Sequence, residues 1–202
     1  MKRRNKADDP RPMPHLAQLA ERLESTASWE DLVLPEPDRQ HLQEIASGMK
    51  HKATMEESFT HSARISTGSG VAALFTGPNG PGKTKAAAAL ANDLNLPIYR
   101  VDLRRIVSKY IGETEKNLQR VFEAAELSNG VVLFFDEADA LFGKRTEVKD
   151  SHDRYANLEI AYLMQRIETY PGLVILATSH GSALDEVSMR RLDDIIEFPS
   201  PD

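Results

Sequence analysis

A glycine-rich loop between an apolar run and an alanine-rich segment is the part of this sequence best suited to hold a phosphate chain. The apolar residues 71–75 are followed by residues 77–84, which have the pattern G-x-x-x-x-G-K-T, and then by residues 85–90. Glycines allow a tight loop whose N–H groups point inward, and a helix that starts there adds the positive end of its dipole. The pattern predicts a strand, a phosphate-binding loop and a helix in succession. The alternative is a glycine-rich surface turn.

The residue types in this loop predict separate parts in binding ATP. Lys83 would reach the β- and γ-phosphates, and the hydroxyl of Thr84 would bind Mg²⁺. Pro81 has no backbone N–H, so we expect the loop to lose one donor and nucleotide affinity to fall by more than about tenfold. The predicted nucleotide-binding residues are Gly77, Pro78, Asn79, Gly80, Pro81, Gly82, Lys83, Thr84 and Lys85.

An acidic segment follows a second apolar run. Residues 131–135 are β-branched, aromatic and aliphatic, which predicts a strand buried on both faces, and Asp136 and Glu137 come directly after it. Beside a phosphate loop, Asp136 would bind Mg²⁺ and Glu137 would orient and deprotonate the attacking water. Taken alone, the two carboxylates could instead cap the next helix. Together, the loop and the acidic pair predict binding of ATP or GTP.

Composition excludes several other classes of protein. The chain has 202 residues, 41% hydrophobic and 28% charged, which is enough for one well-packed core. No apolar run is long enough to span a membrane, and the absence of cysteine excludes disulfides and thiolate metal sites. A net charge of −6 argues against broad electrostatic binding to nucleic acid. We therefore expect a cytoplasmic protein without a membrane or nucleic-acid partner.

Strand patterns and helix patterns alternate along the chain. The predicted strands other than those at 71–75 and 131–135 are 97–103, 173–178 and 195–199, and the predicted helices other than the one after the loop are 15–23, 38–49, 114–126 and 155–170. This alternation predicts a parallel sheet with helices on both faces and a ligand at the carboxyl ends of the strands. The predicted divisions are a disordered basic tail at 1–13, an N-terminal helical segment and connector at 14–60, and a nucleotide-binding core at 61–202.

The motifs in this order resemble those of the AAA+ ATPases. Besides the phosphate loop, the residues that carry the resemblance are 108–118, 134–143, 173–178 and 190–193. The resemblance covers about residues 28–202 and implies an α/β fold: the P-loop NTPase three-layer sandwich with a parallel sheet. The family continues with a small helical lid where this chain stops at Asp202, so the lid is expected to be absent. The stretch 143–157 is similar to the AAA ATPases in gene clusters for phage-tail-like contractile injection systems.

The resemblance also implies roles for residues outside the two motifs. Tyr110 matches the aromatic of a pore loop, and Ser179 stands where the family has an asparagine that positions water, with Thr178 as a substitute. Arg190 and Arg191 match the arginine finger, so the implied catalytic residues are Glu137, Ser179, Arg191 and Arg190. A finger that acts on a neighbouring subunit implies a ring, in this family usually a homohexamer.

Two functions from different classes follow. The first is a Mg²⁺-dependent ATPase that remodels or disassembles a protein assembly, with a protein substrate or a contractile-tail component as partner. The second is a nucleotide-binding switch or assembly module with little hydrolysis, which Ser179 and the absent lid favour. A small-molecule kinase or a DNA-loading ATPase is a further alternative.

Overall fold

A computed structural model describes residues 16–59, 70–128, 130–143, 151–179, 184 and 186–200, with the backbone alone at 55–59 and 151–156. The basic tail at 1–13 and most of the stretch 143–157 lie outside the residues whose side chains are described. No helix in the described part of the chain is long and apolar enough to cross a membrane.

Helices and strands alternate as predicted. The strands are β1 (Glu21–Leu23), β2 (Val71–Thr76), β3 (Ile98–Asp102), β4 (Val132–Asp136), β5 (Leu173–Thr178) and β6 (Asp194–Glu197). The helices are α1 (Leu16–Leu19), α2 (Glu36–Phe59), α3 (Pro81–Asp93), α4 (Leu103–Ile106), α5 (Glu113–Glu126), α6 (Asp139–Phe142), α7 (Ser151–Thr169) and α8 (Glu186–Met189), with a 3₁₀ turn at Trp29–Asp31.

The described strands form one sheet in the order β1-β3-β4-β5-β2-β6. All neighbouring pairs are parallel except β1 and β3, which are antiparallel. After β2 the chain crosses to β3, and it later returns to the other side of β2 as β6. The strand order therefore reverses around β2, and a ligand crevice is expected at the carboxyl end of such a strand.

The sheet is buried on both faces, because alternate side chains of its central strands enter two different apolar layers. In β4, Leu133 and Phe135 pack with α5 and α7, whereas Val132 and Phe134 pack with α2 and α3. The same alternation holds in β2 and β5. Helix, sheet and helix make three layers, so the predicted fold class is confirmed, with one antiparallel strand added at the edge.

The helix predicted over residues 15–23 is wrong in its second half. Only Leu16–Leu19 is helical, and Glu21–Leu23 forms β1, which pairs with the edge of β3. Leu16, Leu19, Ala20 and Leu23 have helical spacing, but an unpaired strand edge offers the backbone hydrogen bonds that a short helix cannot match. The segment expected to precede the core therefore contributes a strand to the sheet.

Candidate active site

The phosphate loop begins where the ends of three strands meet. The N–H of Gly77 donates to the carbonyl of Thr178 at 3.2 Å, and the N–H of Phe198 donates to the carbonyl of Thr76 at 2.7 Å. Gly77 has a φ of 141°, and a Cβ there would lie 2.3 Å from the carbonyl oxygen of Phe198. Only glycine fits this position. The start of the loop is thus fixed to both neighbours of β2.

Lys83 lies inside the loop. Its side chain is buried, and its Nζ donates to the carbonyl oxygens of Gly77 and Pro78, each at 2.7 Å. Burial lowers the pKa of Lys83, while the charges of Asp136, Asp139 and Glu137 act in the opposite direction. Lys83 is therefore a buried cation on which the charges of three carboxylates from another part of the chain act.

Helix α3 begins at Pro81, directly after Gly80. Proline suits the first helical position, because its φ is already helical and the N–H that it lacks would have no partner within the helix. A different residue at position 81 would have an N–H that could bind a phosphate oxygen, which is why we expect Pro81 to lower nucleotide affinity. That loss of affinity stays a prediction. Thr84 is half-buried, whereas Lys85 is exposed and its Nζ lies 3.4 Å from the carbonyl oxygen of Asp31.

Asp136, at the end of β4, is paired with Arg100 of the neighbouring strand β3. The Nε and Nη2 atoms of Arg100 lie 2.8 and 2.6 Å from Oδ2 of Asp136. The other oxygen, Oδ1, accepts the N–H of Glu137 at 2.9 Å. Arg100 was not predicted as part of the site, although an arginine in the middle of a predicted strand was a signal for it.

Glu137 has a backbone conformation that is rare for residues other than glycine. Its φ is 57°, in the left-handed region, where non-glycine residues occur mostly at turns and functional sites. Its Oε1 lies 3.6 Å from Nη1 of Arg104, and Arg104 also makes two hydrogen bonds of 3.1 Å to Asp102. The carboxylate predicted to act as the base is therefore next to a cation of its own chain.

Asp139 accepts hydrogen bonds from the end of β5. Thr178 Oγ1 donates to Oδ1 at 2.7 Å, and both the N–H and the hydroxyl of Ser179 donate to Oδ2, at 2.8 and 2.9 Å. Burial by itself raises the pKa of Asp139, but the hydrogen bonds from Ser179 and Thr178 outweigh burial and hold the pKa below its usual value. The two hydroxyls expected near the attacking water therefore both donate to Asp139, which sequence analysis had not given a role.

Two predicted features lie on the surface away from the phosphate loop. Tyr110 and Ile111, in the turn between α4 and α5, are 60% and 72% exposed. Arg190 lies 2.5 Å from Glu186, and Arg191 lies 3.4 Å from Glu168. The structure therefore brings Lys83, Asp136 and Glu137 to one edge of the sheet and pairs each arginine with a carboxylate of its own chain.

The residues of this site fit a nucleotide with a divalent cation. A buried ammonium group suits phosphate oxygens, and carboxylate and hydroxyl oxygens are the donors that Mg²⁺ prefers. A Cβ added at Gly80 would meet no atom within 4 Å, so the outer side of the loop is open. Lys83 and the loop backbone would hold the phosphates, and Thr84 and Asp136 would hold Mg²⁺.

Comparison with known proteins agrees with this geometry. A family model described as "ATPase family associated with various cellular activities (AAA)" matches residues 73–200. The chain belongs to the AAA family of ATPases. An uncharacterised AAA family ATPase, y4kL, of Sinorhizobium fredii is 38% identical over 130 residues, which are 64% of this chain and 39% of that protein. Cell division protein C of Sulfolobus acidocaldarius is 33% identical over 190 residues, 88% of this chain and 51% of that protein.

The fold of this AAA ATPase also matches a solved structure. The crystal structure of the FIGL-1 AAA domain has a TM-score of 0.66 and 23% identity, over 92% of this chain and 59% of that one. At this identity the likeness supports the fold alone. The chain spans about half or less of the two curated relatives that it matches here.

Proposed function

We propose that this AAA ATPase binds ATP with Mg²⁺ and hydrolyses it. The observation that carries the proposal is the buried Lys83 within the loop at the end of β2, where the charges of Asp136, Glu137 and Asp139 act on it. A cation for the phosphates and carboxylates for a metal and a water are the parts that this reaction needs.

The residues of the site have different tasks in this proposal. Lys83 and the loop N–H groups bind and orient the phosphates, while Thr84 and Asp136 hold Mg²⁺, which neutralises charge on the phosphate oxygens when bound. Glu137 orients the attacking water and accepts its proton. Ser179 contributes through Asp139 and helps to fix the end of β5 beside Glu137. Water and ATP are consumed, and ADP and phosphate are released.

We further propose that copies of the chain form a ring, a homohexamer, that remodels a protein assembly in the cytoplasm. Support comes from the exposed Tyr110 and Ile111, since an aromatic and an aliphatic side chain in a projecting turn can grip an extended polypeptide. Arg190 and Arg191 are exposed and form surface ion pairs with Glu186 and Glu168. In a ring they would exchange these partners for the nucleotide of a neighbouring copy, where positive charge would stabilise the transition state. A component of a contractile tail is the proposed substrate, on the similarity of residues 143–157.

A second candidate, a nucleotide-binding switch with little hydrolysis, is supported by two contacts. Glu137 lies 3.6 Å from the Arg104 guanidinium, and the hydroxyl of Ser179 donates to Asp139. The ion pair with Arg104 holds the Glu137 carboxylate that would accept a proton from the attacking water, and this would slow the attack. The hydroxyl of Ser179 already donates to Asp139, so it is less able to position the attacking water. Such a module would bind ATP and ADP and change its assembly without turnover.

Phosphate release by the purified chain with ATP and Mg²⁺ separates the two candidates. If the chain hydrolyses ATP, we expect Glu137→Gln to reduce turnover by roughly 10²–10⁴-fold, because the general base is lost, and to leave ATP binding intact. Glu123→Gln, on the exposed side of α5, is the matched control and should behave as the wild type. If the wild type releases no more phosphate than Glu137→Gln while ATP binding is intact, the result would favour the nucleotide-binding switch.

The ring is tested by mixing two inactive variants. We expect Arg191→Ala to keep ATP binding but lose turnover by about 10³-fold, the range of a finger supplied by another subunit. Arg120→Ala, exposed on α5, is the control. Mixing Arg191→Ala with Glu137→Gln should restore part of the activity, because some interfaces then combine an intact Arg191 with an intact Glu137. No recovery in mixtures that assemble into rings would contradict a finger acting between copies.

A further inference from the structure

Arg100 and Asp136 face each other because of the register between two parallel strands. Arg100 of β3 is opposite Phe134 of β4, and Asp102 is opposite Asp136. Side chains two residues apart along a strand point to the same side of the sheet. Arg100 and Asp136 are therefore diagonal neighbours on one side, and the long arginine side chain spans the gap.

The contact restrains the carboxylate through both of its oxygens. Two nitrogens of Arg100 lie within 2.8 Å of Oδ2, and the N–H of Glu137 reaches Oδ1 at 2.9 Å. The side chain of Asp136 is 16% exposed and that of Arg100 is 33% exposed, so water competes only in part for these bonds. A carboxylate bonded at both oxygens has a fixed plane, and its remaining lone pairs have fixed directions.

Asp136 is the main partner of Arg100. Among the described residues the other carboxylate near the guanidinium is Glu21 of β1, which is 4.0 Å from Nη1 and 71% exposed. On that side Arg100 lines a cavity of about 510 Å³ between α1, β1 and α4, together with Arg105. An exposed pair at such a distance contributes little. Among the described residues, the strong contact of the guanidinium is with Asp136, the carboxylate proposed to hold Mg²⁺.

The geometry points to Arg100 as a positioning residue for Asp136. By fixing the plane of this carboxylate before any metal arrives, Arg100 reduces the ordering that Mg²⁺ binding requires and lowers the Mg²⁺ concentration at which the nucleotide complex forms. The inference rests on the proposed function, because it takes Asp136 as a residue that holds Mg²⁺. Arg100 itself touches neither nucleotide nor water in this account.

Orientation and charge act on Mg²⁺ binding in opposite directions. A fixed positive charge beside Asp136 repels a divalent cation, so removing that charge alone would make Mg²⁺ bind more tightly. We infer that orientation outweighs repulsion, since Arg100 is partly exposed and water screens its charge, whereas the two short hydrogen bonds act at contact distance.

The experiment measures equilibrium binding of a fluorescent ADP analogue to the full 202-residue chain, first in EDTA and then across a Mg²⁺ titration. We expect Arg100→Leu to raise the Mg²⁺ concentration for half-maximal tightening by about tenfold, the effect of one charge-assisted hydrogen bond, with metal-free ADP affinity unchanged within about twofold. Arg100→Lys, which keeps the charge but has a single donor nitrogen, should recover part of the loss. The control is Arg105→Leu: Arg105 lines the same cavity, but its side chain is 87% exposed, so this variant should match the wild type.

The outcomes separate this inference from the proposed function. A half-maximal Mg²⁺ concentration that is unchanged or lower in Arg100→Leu, in protein with a wild-type circular dichroism spectrum, would overturn the positioning role. A loss of ADP affinity in EDTA as large as the loss in Mg²⁺ would also overturn it, because that pattern indicates general damage to the site. If Mg²⁺ has no effect on ADP binding to the wild-type chain, the proposed metal site itself is wrong.

Discussion

The phosphate loop and the acidic edge of the sheet do complementary chemistry but are built in different ways. The loop consists of consecutive residues between β2 and α3, and its groups are mostly backbone atoms. The acidic edge joins side chains from β3, β4 and β5: Arg100 and Asp136 are 36 residues apart, and Asp139 and Ser179 are 40 apart. A contiguous motif places its own atoms, whereas the acidic edge depends on strand order and register.

This difference predicts how each region responds to substitution. The phosphate loop depends on one buried cation that no neighbour can replace, so a single change there should remove binding. The acidic edge spreads its hydrogen bonds over several side chains, so single changes there, apart from loss of the base Glu137, should alter rate or stability by smaller amounts. The following predictions test this contrast, in order of decreasing effect.

The largest effect on ATP binding is expected for Lys83→Ala in the phosphate loop. Removing the one cation that lies within the loop should weaken ATP binding by roughly 100-fold or more, since more than one charge-assisted hydrogen bond to phosphate is lost. Titration calorimetry with ATP and Mg²⁺ measures this directly. Lys116→Ala, exposed on α5, controls for the loss of one positive charge. Affinity close to the wild-type value would contradict the assignment of the loop.

A smaller effect, of the opposite sign, is expected for Ser179→Asn at the acidic edge. An amide is longer than a hydroxyl and has both donor and acceptor atoms, so it could bond to Asp139 and to the attacking water together. We expect Glu137-dependent turnover to rise by about fivefold, within the range of one hydrogen bond. Phosphate release under saturating ATP measures the change, and Thr178→Ser, which keeps its hydroxyl, is the control. Unchanged or lower turnover at an unchanged melting temperature would contradict this prediction.

The smallest effect is a pH dependence of stability at Asp139. Because the folded protein holds the pKa of Asp139 below the unfolded value of about 3.9, its carboxylate stabilises the fold above that value. This stabilisation is lost as the pH falls through the folded pKa. The difference in unfolding free energy between the wild type and Asp139→Asn should therefore be constant above about pH 5 and shrink toward pH 3.

Urea unfolding of both proteins between pH 3 and pH 7 measures this difference. Asp38→Asn, at the start of α2, is the matched control for one lost carboxylate. A difference between wild type and Asp139→Asn that stays constant down to pH 3 would show that hydrogen bonding to the ionised form does not stabilise the fold.

Much of the fold could be predicted from the sequence. The strand predicted at 173–178 is β5 with the same bounds, and the helix predicted at 114–126 is α5, which begins one residue earlier. Both segments have a strong periodicity that tertiary contacts reinforce. The short helices α4, α6 and α8 were not predicted, because four residues are too few to establish a helical period. The strand β1 was missed because its pairing partner lies far along the chain.

The sequence by itself determined the phosphate loop, the acidic pair Asp136–Glu137 and the alternation of strands and helices. These depend on neighbouring residues, whose backbone preferences and apolar spacing act over a few positions. Only the tertiary structure decided that Arg100 holds Asp136, that Arg104 lies beside Glu137 and that Thr178 and Ser179 donate to Asp139. Each of these contacts joins residues in, or shortly after, two different strands. Their geometry is set by the order and register of the sheet, which a local pattern of residues does not contain.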